Sequence, residues 1–211
     1  WSLRFLSSYR HCEARSNLSL LSKKMEQDIQ QCLEVLRKGG IILYPTDTIW
    51  GIGCDAKNEK AVQRIFDIKK RSDSKSLIVL VDHENQLNKY VREVPAVAWD
   101  LLEFAEDPLT IIYDDAGSLA PNVLADDGSL GIRVCKDEFC KKLIHKLGRP
   151  LVSTSANVSG EPAPENFSQI SDHIRNNVDY VVKWRQDERK RSQPSKIIKL
   201  KTNGEIKIIR K

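Results

Sequence analysis

Four short clusters of polar side chains carry the residue types that chemistry needs. They are Thr46-Asp47-Thr48, Lys69-Lys70-Arg71 with Lys75 close behind, Ser129 to Arg133, and Ser153-Thr154-Ser155-Ala156-Asn157. Hydroxyls, an amide and several cations, with His11, His83, His145 and His173 all lying elsewhere, suit an anionic ligand such as a nucleotide triphosphate. Neither Gly-x-x-x-x-Gly-Lys-Ser/Thr nor Gly-x-Gly-x-x-Gly occurs, so neither common phosphate loop is available. Each cluster also has a plainer reading. Thr46-Asp47-Thr48 fits an ordinary Asx-type turn, and Ser153–Asn157 fits helix capping after a strand. Lys69-Lys70-Arg71 at a helix end fits a solvated cap that complements the helix dipole. Arg133 resists such a reading, because a charge inside the apolar run Leu130–Val134 needs a partner.

The elements that must position these clusters are legible from periodicity. Ile29, Cys32, Leu33 and Leu36 predict a helix over Met25–Lys38, stopped by Gly39-Gly40. Ile41–Tyr44 then predicts a buried strand running into the Thr46-Asp47-Thr48 knuckle, with a second short apolar run at Trp50–Cys54. Asn58 can cap a helix through Lys70. Leu77–Val81 reads as a central strand, Glu84–Val91 and Pro95–Ala105 as helices, and Pro108–Tyr113 as a strand. Ala116–Ser129 is a polar loop. Leu130–Val134 is a strand, Glu138–Leu147 a helix, Pro150–Ser153 a strand, Phe167–Asn176 helical and Tyr180–Val182 extended. Asn203-Gly204 between Lys196–Leu200 and Glu205–Arg210 is a strong hairpin signal. Such alternation predicts one α/β domain on a twisted, mixed parallel and antiparallel sheet flanked by helices.

Bulk composition narrows the class. The 211 residues, 40% hydrophobic and 30% charged, suit one soluble globular core. No apolar run approaches the ~20 residues of a membrane helix. Of the net charge of +5, +4 falls within residues 1–24, so the body is close to neutral and its charge total does not signal nucleic acid. Residues 1–24 are read as a disordered or spurious extension outside the fold, the other reading being an organelle transit peptide; residues 25–211 form the domain. Cys12, Cys32, Cys54, Cys135 and Cys140 are odd in number with no Cys-x-x-Cys pair, which predicts free thiols in a reducing cytoplasm and no zinc or other metal site.

The segments LYPTDTIWGIGCDA, IKKR followed by KSLIVLV, GIRV, and VSTSANVSGEPAP, in this order, resemble the YrdC-like family of L-threonylcarbamoyladenylate synthases, in its short single-domain form. The likeness covers Met25 to Arg210. It implies a YrdC-like fold and a nucleotidyltransferase that joins L-threonine, bicarbonate and ATP into threonylcarbamoyl-AMP, releasing pyrophosphate. The product would feed threonylcarbamoyladenosine modification of tRNA, through a downstream tRNA threonylcarbamoyl-transfer machinery. Mg²⁺ is expected with ATP, and the cytoplasm is the expected location.

By the same resemblance, Lys69 and Arg71 match the family's Lys-x-Arg motif as catalytic residues, and Ser155 and Asn157 its Ser-x-Asn motif. Lys69, Arg71, Lys75, Ser129, Ser155, Asn157 and Arg210 would face ATP, with Ser195 a weaker candidate. Thr48, Arg133 and Ser153 would face threonine, Arg133 through the carboxylate. Leu80, Glu106-Asp107-Pro108 and Ala163 depart from the family's usual residues. The alternative class is a module that binds double-stranded RNA or tRNA without catalysis.

Overall fold

Among the described residues nine strands form one sheet in the order β7-β1-β2-β6-β3-β5-β4-β8-β9. The computed structural model describes residues 21–70, 77–189 and 193–211. The strands are β1 (Ile42–Tyr44), β2 (Gly51–Gly53), β3 (Ile78–Val81), β4 (Leu109–Tyr113), β5 (Leu130–Val134), β6 (Leu151–Ser155), β7 (Tyr180–Val181), β8 (Lys196–Leu200) and β9 (Ile206–Arg210). Three pairs are parallel (β1–β7, β3–β5, β4–β8) and five are antiparallel, so the sheet is mixed. Helices α1 (21–37), α2 (Glu59–Ile68), α3 (Leu87–Tyr90), α4 (Ala96–Glu103), α5 (Glu138–Leu147) and α6 (Asp172–Asn176) flank it.

The helix ends follow from their sequences. Asn58 accepts from the Ala61 N–H and Asp137 from the Cys140 N–H, capping α2 and α5. Gly148, at φ +71°, ends α5 in the left-handed conformation that glycine adopts at least cost. Three boundaries differ from expectation. Helix α1 is already formed at residue 21, the first described residue and upstream of Met25. The helix expected over Phe167–Asn176 splits into a 3-10 turn and α6, because Ser171 is extended at ψ 151°. The stretch Glu84–Val91 likewise opens as a 3-10 turn before α3.

Register sorts the side chains onto two faces with period two. Ser153, Ile78, Gly131 and Ile112 lie side by side across four strands, and Thr110 and Ile197 extend that face. The residues one step along, Val152, Val79, Ile132 and Ile111, are all buried on the opposite face. One face is thus a continuous apolar floor of the core. The other mixes small and polar residues, Gly131, Thr110 and Ser153, with Ile78, Ile112 and Ile197. Gly53 allows β2 to approach β6 closely: a Cβ there would stand 2.1 Å from the Val152 carbonyl oxygen.

Candidate active site

A cleft of about 770 Å³ opens on the face of the sheet that carries Ser153, Gly131 and Thr110. It is lined by Thr48, Trp50, Thr110, Asp126, Asp127, Ser129, Arg133, Ser153, Ser155, Ser195, Lys199 and Arg210, among others. Seven of the expected site residues (Thr48, Ser129, Arg133, Ser153, Ser155, Ser195 and Arg210) therefore meet in one place although they come from five separate segments. A groove of about 1030 Å³ between α1 and residues 180–188 is larger but contains none of them. Gly131, Gly51 and Ala163 also line the cleft, and their small side chains keep its floor and rim open.

The knuckle after β1 is shaped by its own hydrogen bonds. The Thr46 hydroxyl donates to the Ile49 carbonyl at 2.8 Å and accepts from the Thr48 N–H at 3.0 Å. With the Thr46 proton so committed, Thr48 is the donor in the 2.9 Å contact between the two hydroxyls. Thr48 keeps its lone pairs for a donor in the cleft. Arg185 braces the loop from outside, donating to the Thr46 carbonyl at 3.4 Å and to Asp137 at 2.8 Å.

Arg133, on β5, has the partner its sequence context demands. Asp47 Oδ1 lies 3.1 Å from Arg133 Nη2, with the two side chains 10% and 5% exposed. The approach is an ion pair not aligned as a hydrogen bond, since Asp47 Oδ1 and Arg133 Nε are both buried without a hydrogen-bond partner. Asp47 Oδ2 accepts from the Lys136 N–H at 3.3 Å. A guanidinium so held still has donors to offer a planar anion.

The opposite wall is built by β4, β8 and β9. Ser195 and Thr110 hydroxyls share a hydrogen bond of 2.8 Å, and Arg210 donates to the Ser195 carbonyl at 2.8 Å and its hydroxyl at 3.3 Å. Desolvation, then repulsion from Arg133, pushes the Arg210 pKa down from its ordinary value, the direction set when two cations face one cavity. Asp127 Oδ1 accepts from the Ser129 N–H at 3.0 Å, while Lys199 Nζ lies 3.0 Å from Asp127 and 3.2 Å from Asp114. The Ser129 hydroxyl, Lys199 and the Ser129 N–H hold the Asp127 carboxyl down to about 2.

Lys69 and Asn157 are not among the residues lining the cleft. The buried Lys69 ammonium donates to the carbonyls of Ser155 at 2.6 Å and Asn157 at 2.7 Å, and reaches the Ser155 hydroxyl at 3.5 Å. It thereby fixes the turn that leaves β6 and contradicts the solvated-cap reading for this residue. The Asn157 amide donates to the carbonyls of Val158 and Glu161, and its Oδ1 is buried without a hydrogen-bond partner. Arg71 and Lys75 lie outside the described residues.

Sequence reasoning missed Thr110 and Lys199 in the cleft and Arg185 behind it. Thr110 carried the same signal as Arg133, a polar residue within a buried strand, and it is fully buried. Lys199 and Arg185 carried none, because their positions depend on strand pairing and on a turn remote in sequence. Trp50 lines the cleft and packs its ring 4.9 Å from that of Phe167, giving this wall an aromatic backing. Cys32, Cys54, Cys135 and Cys140 are all free thiols, as expected.

Comparison with known proteins identifies relatives and similar folds. A threonylcarbamoyl-AMP synthase of Vibrio cholerae is 33% identical over 159 residues, covering 74% of this chain and 85% of that protein. The crystal structure of E. coli YciO superposes with a TM-score of 0.75 at 25% identity, covering 87% of this chain and 88% of the other. P. abyssi Sua5, in complex with L-threonine, gives a TM-score of 0.71 at 26% identity, and this chain spans 50% of its length. The family model for Sua5, YciO and YrdC, described under telomere recombination, matches residues 34–211. The chain belongs to the Sua5/YciO/YrdC family.

Proposed function

We propose that this protein is an L-threonylcarbamoyladenylate synthase. The observation that carries the proposal is the single cleft in which Thr48, Ser153 and Arg133 stand across from Ser195 and Arg210, with Ser129 and Ser155 also on its walls. A site with two arginines and a ring of hydroxyls fits two anionic substrates at once, an amino acid and a nucleotide. Relatives named threonylcarbamoyl-AMP synthase and the threonine complex of P. abyssi Sua5 support the same reading.

In this proposal Arg133 takes the threonine carboxylate, while Thr48 and Ser153 bind its polar groups. The threonine amine adds to carbon dioxide with loss of a proton, or to bicarbonate with loss of water, and the carbamate oxygen attacks the α-phosphate of ATP. The bond to the bridging oxygen breaks and pyrophosphate leaves. The nucleophile comes from the substrates, so the protein has to orient them and offset charge growing on the phosphates. Arg210, Ser195, Ser129 and Ser155 supply that on the described walls, and Arg71 and Lys75 are assigned to the same task. Lys69 acts by holding the Ser155–Asn157 turn in place.

A Mg²⁺ ion accompanying ATP would offset charge on the phosphates and would need at most one or two protein carboxylates to hold it. Asp126 and Asp127 are the carboxylates on the cleft wall. The product would serve threonylcarbamoyladenosine synthesis on tRNA in the cytoplasm.

The test is pyrophosphate release from ATP with L-threonine and bicarbonate, each left out in turn. Release should require all three. Release that ignores threonine would overturn the assignment.

A further inference from the structure

We propose that β9 is a self-recognition edge through which two copies of this chain pair into one continuous sheet. Among the described residues β9 is the last strand of the sheet and is bonded on one side only, to β8. Its side chains are exposed along its whole length. Among the described residues, exposed large hydrophobic side chains are few, and Ile206, Ile208 and Ile209 all belong to this strand, at 44%, 59% and 49% exposure. An apolar edge of this kind, without proline, is a template for another strand.

The hairpin fixes which backbone groups are available. The Lys201 N–H donates to the Glu205 carbonyl at 3.0 Å, so Glu205 points its backbone toward β8. Lys199 stands opposite Lys207, Leu200 opposite Ile206 and Ile198 opposite Ile208. Antiparallel alternation then turns the N–H and C=O of Lys207 inward and those of Ile206 and Ile208 outward. The register shift beyond Ile208, which sets Arg210 opposite Ile197, ends this alternation. Ile206 and Ile208 are therefore the docking residues.

A twofold antiparallel pairing centred on Lys207 satisfies all four outward groups, with Ile206 bonded to Ile208 of the second copy and the reverse. It also gathers four isoleucines on one face. That face is the one carrying Ile198 and Leu200, so the apolar floor of each core runs on into its neighbour. The cost is Lys207 opposite its own copy. Glu205 offsets it, lying diagonal to both Lys207 and Lys211 of the second copy, within the reach of cross-strand diagonal pairs. The strand is acidic where it enters and basic where it leaves, which is the pattern antiparallel self-pairing complements. This surface commits to a second copy of the chain and does not depend on the assigned reaction.

Light scattering coupled to gel filtration on the full chain tests the proposal. Wild type should run at twice the chain mass, and Ile208→Lys, a change at an exposed site, should run at the monomer mass with an unchanged circular dichroism spectrum. Lys207→Cys should form a disulfide-linked dimer on mild oxidation, because residues facing each other across the twofold stand about 4.5 Å apart between Cα atoms. A wild-type protein that stays monomeric up to several hundred micromolar would overturn the proposal. So would a dimer that survives Ile208→Lys, or one that Lys207→Cys fails to cross-link.

Discussion

Asp47→Asn separates the two demands made on Arg133, holding the fold and taking the substrate carboxylate that the proposed function assigns to it. The pair is buried on both sides, at 10% and 5% exposure. Asp47 serves two partners, Arg133 through Oδ1 and the Lys136 N–H through Oδ2. An asparagine has one acceptor oxygen and can satisfy only one of them. Breaking a buried ion pair by removing one charge costs about 3 kcal/mol or more, because the other charge stays buried. For a chain of this size that corresponds to a fall in Tm of roughly 6–12 °C.

The effect on threonine should have the opposite sign. In the wild type an incoming carboxylate must share Arg133 with Asp47, and two carboxylates ~6 Å apart repel by about 3 kcal/mol at an effective dielectric of ~20. Relief of even half of that tightens binding roughly tenfold. Thermal unfolding followed by circular dichroism, with and without L-threonine, reads both effects. The variant should start lower and gain more from threonine than the wild type, and its KM for threonine should fall. An unchanged Tm, or a threonine shift no larger than that of the wild type, would refute the reasoning.

Three further outcomes follow from the same geometry. Gly53→Ala sets a Cβ 2.1 Å from the Val152 carbonyl oxygen, so β2 and β6 must part, and urea unfolding should show a loss of about 3 kcal/mol. Lys69→Met removes charge-assisted hydrogen bonds of 2.6 and 2.7 Å to the carbonyls of Ser155 and Asn157, each worth about 1.5–3 kcal/mol; the urea midpoint should drop and pyrophosphate release should fall with it. The Asp127 pKa is held down to about 2, below the ordinary carboxylate value of about 3.9. Its stabilising contribution is therefore full above pH ~4 and lost as pH falls through about 2; the carboxyl carbon shift of Asp127 should titrate there, and Lys199→Met should move that titration upward.

Much of this architecture was legible because strands and helices declare themselves by period. The runs Leu77–Val81 and Leu130–Val134 are apolar enough to be central strands, and they pair with each other in parallel. Arg133 could be singled out because the surrounding run made its charge costly, and the structure supplies Asp47 as the partner. The Ser171 break was not legible, since a serine between two polar turns reads the same in a helix or out of it. Lys69 was not legible either. A basic residue at a helix end has solvent as its default partner, and only the turn after β6, arriving from far along the chain, offers it two carbonyls instead.

The common cause of these failures is that register is a property of pairs. No single strand states which neighbour it takes, yet the neighbour decides what a side chain meets. Thr110 meets Ser195 only because β4 runs parallel to β8, and Arg133 meets Arg210 electrostatically only because β4 stands between β5 and β8. Period two then does the rest: once Gly131 faces the cleft, Arg133 must face it too, while Ile132 between them must enter the core. The same constraint explains the division of labour. The strands carry side chains to the cleft wall by register alone, whereas Asp47 and Lys69, on a loop and at a helix end, hold Arg133 and the Ser155–Asn157 turn where the strands alone could not fix them.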